Sequence, residues 1–155
     1  MSSKTIYTLG YGSRDIHEFI TITHKYSIDI IIDVRRFPRS KNPYYNKDLL
    51  EKILMHQGIK YYWLGELLGG YRGGYTRYME TEQYKLGIEI MEKLVQQTIY
   101  SNTKAAIICL EKNPRGCHRK HIAETLENKG YTIIHIIEED KTIRHREIIS
   151  AGGGI

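Results

Sequence analysis

Cys117 stands between Arg115 and Arg119 and beside His118, in the run Cys109-Leu-Glu-Lys-Asn-Pro-Arg-Gly-Cys-His-Arg119. A thiol at or near a helix N-terminus among guanidinium groups has a depressed pKa and serves as a nucleophile or redox group. His118 would move protons beside it. The competing reading is a small residue packing the first helical turn. Cys-His also pairs a soft ligand with an imidazole, but adjacent residues chelate one ion poorly. A metal site would need more, with His121 and Cys109 as the candidates, and none is assigned. Cys109 and Arg115 carry the cysteine–five residues–arginine spacing of phosphate-cradling phosphatase and sulfurtransferase loops, which would make Cys109 the nucleophile. Glu111 inside such a loop opposes an anion, so that reading comes second.

Asp33-Val34-Arg35-Arg36 is the other constellation. A carboxylate at a strand end can hold one arginine fork in place while a second meets an anion bidentately; it can also simply cap a loop. Asp33 and Glu111 are read as orienting groups in catalysis, and Arg35, Arg36, Arg39 and Arg119 as the anion-holding set. Glu66, in the glycine-rich stretch Gly65 to Gly74, is a candidate general base if that loop closes, and otherwise an exposed loop glutamate. Arg72, Arg77 and Tyr78 would add anion contacts.

The charge distribution supports a focused site. The chain carries a net +5. Arg35 to Asp48 holds five cations against one carboxylate, and Glu111 to His121 four against one, which leaves the remainder at −2. Basicity of that kind fits an anion site better than a generally basic surface, although a charge run is most often a solvated face.

The elements that must position these residues follow from periodicity. Lys4 to Leu9, Ile28 to Val34, Ile59 to Leu64, Ala105 to Leu110 and Tyr131 to Ile137 read as strands. Between them lie helices opened by Asp15 with Glu18, by Asn46 and by Thr81, and a fourth over Cys117 to Lys129 ended by Gly130. Arg35 to Tyr45, with Pro38 and Pro43, must be loop. Strand–helix alternation of this length predicts a single three-layer α/β domain, a mostly parallel five-stranded sheet with helices on both faces, over residues 1–138. Residues 139–155 read as a polar, then glycine-rich, partly disordered tail. In such sheets ligands bind beyond the strand carboxyl ends, where both basic segments fall.

Composition excludes other classes. At 155 residues with 41% hydrophobic and 26% charged, the chain is neither disordered nor collagen-like. No apolar run reaches the ~18 residues of a membrane helix, and no export signal precedes Ile6, so a cytoplasmic protein is expected. Two cysteines make no disulfide framework, and both are expected as free thiols. Twenty-four isoleucines against two valines, with nine amides, fit a thermophile.

Asp33-Val34-Arg35 with Phe37-Pro38 and Ser40, Gly58-Ile59-Lys60-Tyr61, Leu68-Gly69-Gly70, Tyr78-Met79 with Thr81, and above all Pro114-x-x-Cys117-His118-Arg119 before Ile122-Ala123 form an ordered set. Together they resemble the family catalogued as domain of unknown function 488, over about residues 5 to 137. The resemblance implies functional positions at Gly10 to Ser13, Asp33 to Ser40, Cys109-Leu110-Glu111 and Cys117-His118-Arg119, and it implies no activity. The sequence thus leads to an enzyme acting on a phosphorylated or nucleotide-like anion. The alternative is a non-catalytic nucleic-acid-binding module that stacks bases on Tyr44, Tyr45 and Tyr71.

Overall fold

The computed structural model describes residues 4–70 and 74–150. Tyr71 and Arg72, and the glycine run after residue 150, lie outside the described residues. Five parallel strands form the body of the sheet: β1 (Thr5–Gly10), β2 (Ile28–Asp33), β3 (Lys60–Trp63), β4 (Lys104–Cys109) and β5 (Thr132–Glu138). A sixth, β6 (Lys141–Arg144), runs antiparallel to β5, and the order across the sheet is β3-β2-β4-β1-β5-β6. The α/β class and the mostly parallel sheet agree with the sequence reading, and the strand count is corrected from five to six. The extra strand comes from the stretch expected as tail. A tight turn at Glu139-Asp140 folds Lys141–Arg144 back on β5, and helix α7 (His145–Ser150) follows.

Helices cover both faces. On one face α1 (Ile16–Lys25) and α2 (Lys47–His56) press Phe19, Ile22, Leu50 and Leu54 onto Leu9, Ile31 and Ile108. On the other, α5 (Glu82–Ser101) and α6 (Arg119–Asn128) press Ile88, Met91, Ile122 and Leu126 onto Ile6, Ile32 and Ile107. Within β2 the run Ile30–Ile32 is buried on both faces, which is why three apolar residues follow one another there. Asp15 caps α1 by accepting the Glu18 amide, and Thr81 caps α5 by accepting that of Tyr84. Two short helices, α3 (Gly65–Leu68) and α4 (Tyr75–Tyr78), occupy the region expected as glycine-rich loop and its far end. Among the described residues no helix is long and apolar enough to cross a membrane.

The neighbouring strands β1 and β4 send their chains to opposite faces, through α1 and α6. Their carboxyl ends are therefore the place where an open α/β sheet usually leaves a crevice. Here the crevice is closed. The Tyr11 amide donates to the Cys109 carbonyl at 3.0 Å and the Gly12 amide to that of Leu110 at 2.8 Å, so the two loops continue the ladder beyond the sheet. A Cβ on Gly10 would lie 1.8 Å from the Glu111 carbonyl oxygen, which only glycine permits.

Candidate functional site

All five parallel strands end on one edge, and the sequence-derived residues gather there. At the end of β2, Asp33 is fully buried and accepts from four donors: the Arg35 amide at 3.0 Å, Arg35 Nε at 2.9 Å, Arg35 Nη2 at 2.7 Å and the Tyr61 hydroxyl at 2.5 Å. Arg35 also donates to the Tyr11 hydroxyl at 3.3 Å and lies over the Tyr11 ring. Burial by itself would lower the Arg35 pKa, but the hydrogen bond and charge of Asp33 outweigh it and raise the value. Asp33 thus holds Arg35 in place, while Arg36 is half-buried and is itself engaged. The Asp33 carboxylate is engaged in this pair within the fold.

At the end of β4, Cys109 and Cys117 are joined in a disulfide. This corrects the expectation of two free thiols. The 3-10 turn Pro114–Gly116 doubles the chain back, so that Cys117 points into the core beside the last residue of β4. Arg119 is also fully buried, and its fork serves the protein's own chain. Nε donates to Thr8 Oγ1 at 3.0 Å, Nη1 to the Glu111 carbonyl and to Cys109 Sγ at 3.7 Å, and Nη2 to the Lys112 carbonyl at 3.1 Å. Burial pulls its pKa down to about 10, the Glu111 charge opposes that fall, and Arg14 adds to it. Glu111 also holds this arginine through its backbone carbonyl, and its side chain is exposed. Arg115 is exposed, and Cys109 faces the core, away from the cradle arrangement of the second reading.

His118 joins the two loops. Its Nε2 lies 3.0 Å from the Val34 carbonyl, and its ring packs against Tyr75, on which His121 also stacks. Burial is the main cause that lowers the His118 pKa; the hydrogen bond to Val34 opposes it, and Arg119 and His121 add to it.

Three buried residues were not singled out in the sequence. Arg14 donates to the Gly10 and Ile137 carbonyls and to Glu18. His135 and His145 continue the Arg119–Thr8 contact as a chain: Thr8 Oγ1 to His135 Nδ1 at 2.6 Å, His135 Nε2 to His145 Nδ1 at 3.0 Å, and His145 Nε2 to Glu124 Oε1 at 3.1 Å. The only sequence sign of this chain is the polar His135 inside the apolar β5 run.

The open space lies one step along the same edge, outside β2 and β3. A cleft of about 1080 Å³ is lined by Arg36, Phe37, Arg39, Lys47, Trp63 and Glu66, with Pro38, Asn46 and Asp48 completing the wall. The Trp63 indole donates to the Arg35 carbonyl at 2.7 Å, and Arg36 Nη1 donates to the Gly70 carbonyl at 3.0 Å. Phe37 is 76% exposed. Of the residues expected in a site, Arg36, Arg39 and Glu66 line this cleft. Asp33, Arg35, Cys117 and Arg119 do not line it: they are buried at the ends of β2 and β4, with half-buried His118 beside them. Tyr45, proposed above for base stacking, is corrected to a core residue: it is fully buried, stacks on Tyr11 and donates to the Arg14 carbonyl at 2.9 Å. Tyr44 is exposed. Arg77 is exposed, and the Tyr78 hydroxyl donates to the Leu67 carbonyl.

Fold and site together define a three-layer α/β domain with its cleft beyond the strand carboxyl ends. The chain belongs to the family described as Domain of unknown function DUF488, whose model matches residues 15–126. No curated protein and no solved structure matches it. Membership fixes relatedness and supplies no reaction.

Proposed function

We propose that the cleft between the β2 and β3 loops binds an anionic ligand with a planar aromatic part, a nucleotide or the end of a single nucleic-acid strand, as substrate of an enzyme. One observation carries the reading: Trp63 and Phe37 line the same cleft as Arg36, Arg39 and Lys47. Aromatic faces stack bases, and guanidinium and ammonium groups take phosphates. Glu66 and Asp48 line the same cleft, and Glu66 would be the general base that accepts a proton from the ligand. Nucleotides are intracellular ligands, in keeping with the cytoplasmic expectation.

Trp63 is the only tryptophan in the chain, so its emission reports the cleft directly. Titration with a nucleoside monophosphate, a nucleoside diphosphate and a short single-stranded oligonucleotide should quench or shift it. For the oligonucleotide, three cleft cations imply a log–log salt slope of about −2, at roughly −0.7 per phosphate neutralised. Emission indifferent to all three ligands overturns the proposal. A slope equivalent to about six contacts, with no binding of mononucleotides, favours the non-catalytic nucleic-acid module.

A further inference from the structure

A different cluster, independent of the cleft, carries a separate inference. We propose that Cys109, Cys117 and His118, when the two cysteines are reduced, form a site for a borderline-soft divalent cation of the zinc class. One ligand atom from each of the three residues lies within 4.8 Å of the other two. The two sulfurs are bonded to each other in this cluster, so reduction must let them part before they can hold an ion at the roughly 2.3 Å of a zinc–thiolate bond, beside an imidazole nitrogen at about 2.0–2.1 Å. The Cα atoms of Cys109 and Cys117 are 7.5 Å apart. Disulfides usually span about 4.4–6.8 Å between Cα atoms, so this backbone separation suits two sulfurs on a common ion.

The surroundings support the same assignment. His118 directs Nε2 at the Val34 carbonyl. An Nε2–H donor there leaves the Nδ1 lone pair for a metal, the arrangement in which ligating histidines are normally oriented by a carbonyl partner. Both sulfurs receive N–H donors, Cys117 from the Arg119 amide at 3.5 Å and Cys109 from Arg119 Nη1 at 3.7 Å. Such donors stabilise thiolate over thiol. Two thiolates neutralise the charge of a divalent ion, so the buried Arg119 keeps its carbonyl partners without meeting a net positive neighbour. Three protein ligands leave one tetrahedral position for water or for a donor atom of a ligand. His121, needed in the sequence reading as a further ligand, instead stacks on Tyr75.

The chemistry balances as follows. An external dithiol gives two electrons and two protons to the Cys109–Cys117 disulfide and becomes a disulfide itself. The resulting thiols lose both protons as the ion binds. An external disulfide reverses this: it takes the electron pair from the thiolates and two protons from solvent, the S–S bond re-forms, and the ion is released.

The test uses the full chain, reduced with a phosphine, freed of reductant under argon and titrated with Co²⁺. The expected result is an absorption band of thiolate-to-cobalt charge transfer and the visible bands of a tetrahedral ion, saturating at about one equivalent and abolished by zinc. Cys117→Ser and His118→Ala should lose or shift these bands, and His121→Ala should keep them. Where a variant does not fold, the unaltered protein decides: one equivalent of zinc should slow maleimide labelling of the reduced cysteines at least tenfold. Absence of charge-transfer absorption, equal labelling with and without zinc, or unchanged spectra in both variants overturns the proposal.

Discussion

Arg35 grips the Asp33 carboxylate through Nε at 2.9 Å and Nη2 at 2.7 Å, an ion pair between residues two apart that is sealed from solvent at the end of β2. Removing one partner of a buried pair leaves the other charge uncompensated. Asp33→Asn should therefore lose about 3–5 kcal/mol of stability. Arg35→Lys should fail to match the native protein, because an ammonium cannot reproduce the fork. Urea denaturation followed by Trp63 emission measures both. A loss below about 1 kcal/mol for Asp33→Asn would mean that the pair is not what holds this loop.

Close approach at the β1–β4 ends gives a sharper contrast. Gly10→Ala places a methyl 1.8 Å from the Glu111 carbonyl oxygen, and backbone must move. About 3 kcal/mol or more should be lost, as in severe overpacking. Gly58 has φ +76° and open space around its Cβ position, so Gly58→Ala should cost only the left-handed strain of about 1–2 kcal/mol. Thermal midpoints should rank the two in that order.

Acid stability should carry the signature of His135. Burial, reinforced by the positive charge of Arg119 and by His145, depresses its pKa to about 3. The unfolded chain, with an ordinary pKa near 6.5, then binds about one more proton than the native state between those values. Stability is held above about pH 6.5 and is lost as pH falls toward 3, with a slope of up to about 1.4 kcal/mol per unit from this group. His135→Asn should flatten that slope in denaturation measured at pH 4, 5, 6 and 7, even if its stability at pH 7 is lower.

Surface and buried arginines should separate cleanly. Arg39→Ala in the cleft should weaken nucleotide binding about tenfold, the effect of one charged hydrogen bond, with the unfolding midpoint unchanged. Arg119→Met should do the reverse where it can be measured, because it removes the donors to Thr8 Oγ1 and to the part-buried Glu111 and Lys112 carbonyls. Fluorescence titration and denaturation of both variants give the comparison. Equal loss of binding in the two would return Arg119 to the anion site.

The sequence was readable where a rule is local. The Ile28–Asp33 strand, the Asp15 and Thr81 caps and the Asp33–Arg35 pair all follow from residues within a few positions. Net charge per segment was a poorer guide, because the count is the same for an arginine in water and for one buried on carbonyl groups. Arg119 is fixed by Thr8, 111 residues away, and His145 by His135 across the β5–β6 turn. No local pattern encodes either contact. Strand β6 was missed because Lys141-Thr-Ile-Arg144 is short and mostly exposed, and only its pairing with β5 makes it a strand. The paired cysteines were missed because their approach depends on the Pro114–Gly116 turn rather than on spacing.

That sixth strand has a consequence for the molecule's behaviour in a crowd. Without it, β5 would present a bare ladder of amides and carbonyls along Ile133, Ile134, Ile136 and Ile137, a template on which a second chain could pair. β6 occupies that ladder and turns Lys141 and Arg144 outward, so the sheet ends on this side in charge. A chain cut after residue 138 would keep every residue of the cleft and of the cysteine cluster, yet would expose a sticky edge. The last strand therefore acts as a guard against self-association.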